Sequence, residues 1–302
     1  MRIFYPDRRN GTTMPSLPLG GGRMKDRYFA PGAVHASAPG VDARPADIAL
    51  KVVELNCTVC WLRGICLPRG LDGDALDRLD AAIHVRQRIK RKETLYRPGD
   101  RFTALYAIRL GTFKTLALAE DGCEQITGYH MPGDVIGADG AGDERHTSHA
   151  VALEDSEVCV LPYNQIDRLS ATVPELRHNL FRLASRDLCR DHAMMLSLGS
   201  RSAEARLTLF LLDLAERFRA RGYSAREFVL RMTREEIASY LGLKLETVSR
   251  LFSSLQEQGL LQVQGRAVKL LDVNGLRSVV GVNSPGHAAA TLTPALEPST
   301  GR

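Results

Sequence analysis

Apolar positions change their period three times along this chain of 302 residues. From about Ile89 to Pro162 they fall in short runs (TLYR, ALYAIRL, TFKTLAL, EQITGYHM, VCVLP), cut by turn signals such as Pro98-Gly99-Asp100 and Pro132-Gly133-Asp134. Many short strands at that spacing predict a sandwich or barrel. Pro174 then opens a long helical stretch, proline being suited to a first turn where its missing N–H has no partner to lose. Within that stretch Phe181, Ala184, Leu188, Asp191, Met195 and Leu198 recur at alternating steps of three and four. That is the seam of a coiled coil, with one acid in it. After Gly199 a second helical stretch, SAEARLTLFLLDLAERFRARG, leads into RMTREEIASYLGLKLETVSRLFSSLQEQGLLQVQGRAVKLLD.

This last stretch reads as two short helices around a glycine turn, followed by two strands. Thr233 and Glu236 form a capping box, Ile237 and Leu241 give the helix an apolar face, and Gly242 ends it. A second helix is predicted from about Leu245 to Gln258, with Val248, Leu251, Phe252 and Leu255 inward, and the strands meet at Gly265-Arg266. The pattern is that of a winged helix-turn-helix. Glu246, Ser249 and Arg250 stand at i, i+3 and i+4, on one face near the start of the second helix. In a major groove Arg grips guanine O6 and N7, Glu accepts from cytosine N4, and Ser bonds to either partner of a pair. On a merely solvated face the same Glu–Arg pair would add only ~0.2–0.5 kcal/mol of helix stability. Lys244 occupies the N-cap place, where it loses a side-chain cap and gains reach to a phosphate.

Composition narrows the class. With 44% hydrophobic and 25% charged residues the chain is an ordinary globular one, which excludes collagen-like and disulfide-dense scaffolds. No run approaches the ~18–20 apolar residues of a membrane helix, and the N-terminus lacks the apolar core of a signal peptide. The expected compartment is the cytoplasm, where six cysteines are thiols or metal ligands. Residues 1–45 and 283–302, rich in Pro, Ala, Gly, Ser and Thr without an apolar period, are expected to be disordered. The net charge of +5 divides into +4 over residues 1–45, −3 over 46–200 and +4 over 201–282. An acidic middle joined to a basic C-terminal segment fits a sensor coupled to a part that meets a polyanion.

Cys57-x2-Cys60-x5-Cys66 lies just ahead of the strand-rich region. Three thiolates within ten residues suit one metal centre whose fourth ligand is distant, as a four-cysteine iron–sulfur cluster allows. A zinc ribbon would supply a second C-x2-C pair, and none is present. Spacing alone leaves Cys123, Cys159 and Cys189 open as the fourth ligand. Lys51, Arg63 and Arg69 are placed to offset the charge of such a centre, and Trp61, Leu62, Ile65 and Leu67 to limit access to it.

The stretches CTVCWLRGICLP, LYAIRLGTFKT, EQITGYHMPGDVIG, ALEDSEVCVLP and MTREEIASYLGLKLETVSRLFSSLQEQG together resemble the oxygen-sensing FNR branch of the CRP/FNR transcription regulators. The resemblance runs almost continuously from about Cys57 to Leu271. It implies an α+β fold: an N-terminal β-roll (double-stranded β-helix) sensor with its cluster loop over 46–172, a dimerisation helix over 173–200, and a C-terminal winged helix-turn-helix over 201–282. It also implies an oxygen-labile [4Fe-4S] cluster on Cys57, Cys60, Cys66 and, through ALEDSEVC, Cys159. Glu246, Ser249 and Arg250 match the family's base-reading positions, whose usual target is an inverted repeat of TTGAT. Double-stranded DNA, RNA polymerase and a second copy of the chain are the partners so implied.

Cyclic-nucleotide members need an Arg–Ser pair, where this chain reads Arg145-His146-Thr147, so cyclic nucleotide binding is not expected. In a parallel dimer, Asp191 faces its twin beside Leu188 and Met195, and two carboxylates across a seam repel, leaving the monomer–dimer balance open to a switch. The rival readings are a cyclic-nucleotide-responsive regulator with a structural zinc site and a cluster-bearing redox enzyme. The latter lacks a Gly-rich nucleotide loop and a nucleophile–base set.

Overall fold

The computed structural model describes residues 57–83, 85–118 and 124–281; the expectations for residues 1–45 and 283–302, for Lys51 and for Cys123 lie outside them. The strand-rich region is a roll of eight strands: β1 (Val85–Ile89), β2 (Thr94–Tyr96), β3 (Ala104–Leu110), β4 (Phe113–Leu118), β5 (Glu124–His130), β6 (Val135–Ile136), β7 (His149–Ala152) and β8 (Ser156–Pro162). They pair antiparallel into two four-stranded sheets, β1-β8-β3-β6 and β2-β7-β4-β5. Ile108, Phe113, Ala150 and Val158, from both sheets, are completely buried in a shared cluster with Ile89, Tyr96, Ile136 and Ala152.

Strand β3 explains its own unbroken apolar run. Ile108 faces the inter-sheet core while Leu105 and Ala107 face a second cluster outside the roll. A strand covered on both faces has no polar alternation to show. The covering layer consists of α1 (Gly73–Ala82), α2 (Tyr163–Thr172) and the start of α3 (Pro174–Ser200), with Leu67, Leu79, Ile166 and Leu176 as its most buried members. The two short helices are additions to the sequence reading. Only Ile166 and Leu169 of α2 are buried, too few apolar positions to declare a period.

Helix α3 has 27 residues, with Pro174 in its first turn. Leu176, Asn179, Leu183 and Arg186 face the protein, whereas Phe181, Leu188 and Met195 of the heptad seam are 72%, 55% and 61% exposed. The seam is therefore a face that the chain's own fold leaves bare.

The C-terminal domain comprises α4 (Ala203–Arg219), β9 (Glu227–Val229), α5 (Arg234–Leu241), α6 (Leu245–Glu257), β10 (Leu261–Gln264), β11 (Ala267–Leu270) and α7 (Val273–Val279). Ser202 caps α4 by accepting from the Ala205 N–H. The Thr233–Glu236 capping box is present in both directions, and Gly242 takes φ +60, the left-handed C-cap that frees the chain to turn into α6. The wing is a three-stranded sheet, β10-β11-β9, one strand more than the sequence pattern gives. The roll and this domain share one apolar cluster: Leu116, Ile126, Tyr129, Met131 and Leu153 pack with Leu207, Phe210, Leu211, Leu214 and Ile237.

Candidate metal centre and nucleic-acid interface

The cysteine loop is a chain of tight turns. Cys57–Val59 is a single 3-10 turn, the Cys60 N–H donates to the Cys57 carbonyl at 3.2 Å, and the Cys66 N–H to the Leu62 carbonyl at 2.9 Å. Three contacts outside the loop hold it. The Cys57 N–H donates to Asp80 Oδ1 of α1 at 2.7 Å, Arg63 Nη2 donates to the Leu71 carbonyl at 2.6 Å, and Leu62 and Leu67 are buried beneath. Asn179 of α3, itself buried, donates its amide hydrogens to the Leu67 and Arg69 carbonyls at 3.0 and 2.6 Å. The loop is thus fastened directly to the long helix.

Cys159 lies on β8 opposite Arg86 of β1 and Ala107 of β3. Its neighbour Val158 enters the roll, while Cys159 packs on the outer cluster together with Cys57 and Cys66. All four thiols are half-buried and free. Burial pushes Cys66 up to about 12, with the neighbouring Cys159 and Cys60 adding to it. Burial also raises Cys57, followed by its bond to Asp80 and by Cys66 and Cys159. Cys159 is raised by burial and by Cys60, against the pull of Arg86 and Arg109. Cys66 and Cys159 thus lie within electrostatic reach of each other and of both Cys57 and Cys60. Among the described residues, however, no three His, Cys, Asp or Glu side chains are drawn together closely enough to hold a metal ion. In kind the donor set fits a thiophilic centre: four soft sulfur donors, a mostly apolar bed, and Arg86 and Arg109 favouring thiolate at Cys159. Cys189 stands exposed on α3.

The expected apolar cover is partly corrected. Leu62 and Leu67 lie inside and Ile65 is half-buried, but Trp61 is 49% exposed, and its ring meets the edge of Tyr223 beyond α4 at 6.1 Å. A second contact ties the loop to the roll. Gly133 has φ +90, and a Cβ there would stand 2.8 Å from Ile65 Cδ1 and Cγ1. The next residue, Asp134, accepts from the Met131 N–H at 2.9 Å, from Arg217 Nη2 of α4 at 2.9 Å and from Arg221 Nη2 at 2.8 Å, with Arg190 Nη2 of α3 at 3.7 Å. Despite complete burial, these three guanidinium groups hold the Asp134 carboxyl well below the usual carboxylate range. This network joins the turn, the long helix and the C-terminal domain, and sequence spacing gave no signal of it.

Inside the roll, three rings pack on one another. His146 stacks on Tyr96 at 3.9 Å and meets Phe102 edge-on, while its Nδ1 lies 3.1 Å from Asp139 Oδ1. Asp139 also accepts from the Thr147 and Ser148 N–H groups at 3.0 Å and from the Ser148 hydroxyl at 2.8 Å. Arg145 turns to the Gly99 carbonyl.

On α6, Val248, Phe252 and Leu255 are buried, and Arg234 of α5 lies 3.4 Å above the Phe252 ring. Glu246, Ser249 and Arg250 are exposed together on the opposite face, and Lys244 is exposed at the N-cap without a side-chain cap bond. Asp191 is exposed on α3; partial desolvation raises its carboxyl pKa against the pull of Arg190 and His192.

Residues 205–279 match the Crp-like helix-turn-helix domain and residues 86–172 the cyclic nucleotide-binding domain. The chain is 45% identical to the transcriptional regulatory protein btr of Bordetella pertussis over 78% of its own length and 98% of that protein. It is 42% identical to the transcriptional activator protein FnrA of Stutzerimonas stutzeri, covering 76% of this chain and 93% of that one. Electron transport regulator A of Shewanella oneidensis is 43% identical over 75% and 91% of the two chains. Among solved structures, FixK2 from Bradyrhizobium japonicum superposes with a TM-score of 0.60 at 28% identity, over 65% of this chain and 96% of that one. With a nucleotide-binding-type roll, a long helix and a helix-turn-helix in that order, and with relatives matched over nearly their whole length, the chain belongs to the CRP/FNR family of transcription regulators, in its FNR-type branch.

Proposed function

We propose that this regulator senses oxygen through a [4Fe-4S] cluster on Cys57, Cys60, Cys66 and Cys159, dimerises along α3 when the cluster is intact, and then binds a palindromic TTGAT-type site. The single observation that carries the reading is the packing of Cys57, Cys66 and Cys159 on one cluster, with Cys60 in electrostatic reach of two of them. Such a cluster supplies an oxygen-labile redox centre. Cys159 is preferred to Cys189 because it is the one that shares the thiols' surroundings. Asp80 of α1 and Asn179 of α3, which already hold the Cys57–Arg69 segment, would pass a rearrangement of that segment on cluster loss to the long helix.

In a dimer along the exposed seam of α3 the two α6 helices stand ~34 Å apart, one turn of DNA, which calls for a palindrome. Glu246, Ser249 and Arg250 read base edges, Lys244 meets phosphate, and RNA polymerase is the downstream partner in the cytoplasm. Names among the relatives such as "Anaerobic regulatory protein" in Haemophilus influenzae support control of genes used without oxygen. The roll belongs by sequence to a nucleotide-binding family, yet the stacking of His146 on Tyr96 in its interior favours a sensor that takes no cyclic nucleotide.

The test is anaerobic purification followed by the visible spectrum, iron and sulfide content, and then air. The expected result is a brown protein near four irons per chain that bleaches and loses both dimer and DNA affinity. A colourless chain holding zinc, or no metal, rejects the oxygen mechanism and leaves the DNA reader intact.

A further inference from the structure

The side of α3 that faces the cysteine loop carries an unbalanced row of arginines. Among the described residues, the two terminal guanidinium nitrogens of Arg182 are buried without a hydrogen-bond partner, as is Nε of Arg186 one turn later. A buried cation without a partner bears most of the cost of leaving water. The charges around Arg182 are Arg69 and Arg186, both of its own sign, and on the opposite side only the thiol of Cys66. The location is fixed, because Asn179, three residues before Arg182, bonds the Leu67 and Arg69 carbonyls. Further along, Arg186 has carboxylates as well as like charges around it, Asp134 and Asp187 against Arg190 and Arg69, and Arg190 stands 3.7 Å from the Asp134 carboxylate that holds Arg217 and Arg221.

We propose that Arg182, backed by Arg69 and Arg186, is the counter-charge of the thiolate centre, placed on the long helix so that charge appearing at Cys66 is felt by α3. This rests on the reading of the cysteines as one metal centre. Four thiolates around a [4Fe-4S]2+ core carry a net charge of minus two, and four thiolates around one divalent cation carry the same. Either centre supplies an anion beside Arg182, whose charged neighbours are two arginines and no carboxylate. Without it, Arg182 faces Arg69 and Arg186 across the loop–helix contact with no carboxylate beside it.

Cobalt(II) is the probe, since its thiolate charge-transfer absorption reports the site without iron, sulfide or DNA. Titrated into the reduced, metal-free full-length chain, Arg182→Gln is expected to bind cobalt about tenfold more weakly than the parent, and Arg182→Lys close to it. In urea the metal-free Arg182→Gln chain is expected to be at least as stable as the parent, because a repulsion has been removed. Equal cobalt affinity of Arg182→Gln and parent overturns the assignment. So does a metal-free Arg182→Gln chain that unfolds earlier, or a lysine variant as weak as the glutamine one, since either makes Arg182 a packing residue. A parent that binds cobalt with the expected arginine dependence but assembles no iron–sulfur cluster refutes the oxygen reading and upholds Arg182. A parent that assembles the cluster while Arg182→Gln matches it in cobalt affinity does the reverse. A parent that binds neither overturns both.

Discussion

At the level of single residues, the start of α6 offers three polar side chains and one lysine to a groove, over a helix face sealed by Val248, Phe252 and Leu255. Glu246, Ser249 and Arg250 follow from helical spacing alone, because a surface face needs no knowledge of the rest of the molecule, and all three are exposed on α6. Replacing Arg250 by Ala is expected to cost ~1–3 kcal/mol of affinity for the palindromic site and to relax the choice at one base pair. Titration against the site and its single-base variants measures this, and an equal loss on random DNA would make Arg250 a phosphate contact. Spacing leaves Cys159 level with Cys123 and Cys189, the resemblance through ALEDSEVC selects it, and strand pairing sets it beside Ala107. Such information lies in the register between β3 and β8, between segments some fifty residues apart, and no local pattern contains it.

Among the elements, α3 shows how one helix serves two surfaces. Its buried row, Leu176, Asn179, Leu183 and Arg186, and its bare row, Phe181, Ala184, Leu188, Asp191 and Met195, both advance by threes and fours. The heptad was visible in the sequence because the bare row is the more apolar one. The buried row was not, since it includes an amide and a guanidinium. Two Asp191 carboxylates facing across a dimer repel when ionised. Replacing Asp191 by Ala is therefore expected to raise the dimer fraction of the cluster-free chain in sedimentation. Lowering the pH through its raised pKa should act in the same direction for the parent, since protonation removes the repulsion. A variant as monomeric as the parent would show that the seam is not set by this residue. Helices α1 and α2 stayed hidden for a different reason, being short segments that bury two or three apolar side chains each.

Across the whole molecule, the order of domains could be read from changes of period, but their mutual grip could not. Asp134 was visible only as the end of a turn signal, yet it receives two arginines from the C-terminal domain and approaches a third on α3. Removing one partner of a buried ion group leaves the others uncompensated. Asp134→Ala is expected to lower stability by ~3–5 kcal/mol, read from urea unfolding followed by the fluorescence of the single tryptophan, Trp61. A loss below ~1 kcal/mol, the range of exposed pairs, would mean that the apolar cluster shared by the two domains does the holding.

The close approach at Gly133 bears on how little motion such a molecule needs. The turn that grips α4 meets Ile65 across a gap with no room for one further carbon. Any side chain at position 133 would have to displace the end of Ile65, so a glycine there is what lets the turn that carries Asp134 lie directly on the cysteine loop. The cysteine loop and the DNA-reading domain, far apart in sequence, thus meet on the two consecutive residues Gly133 and Asp134.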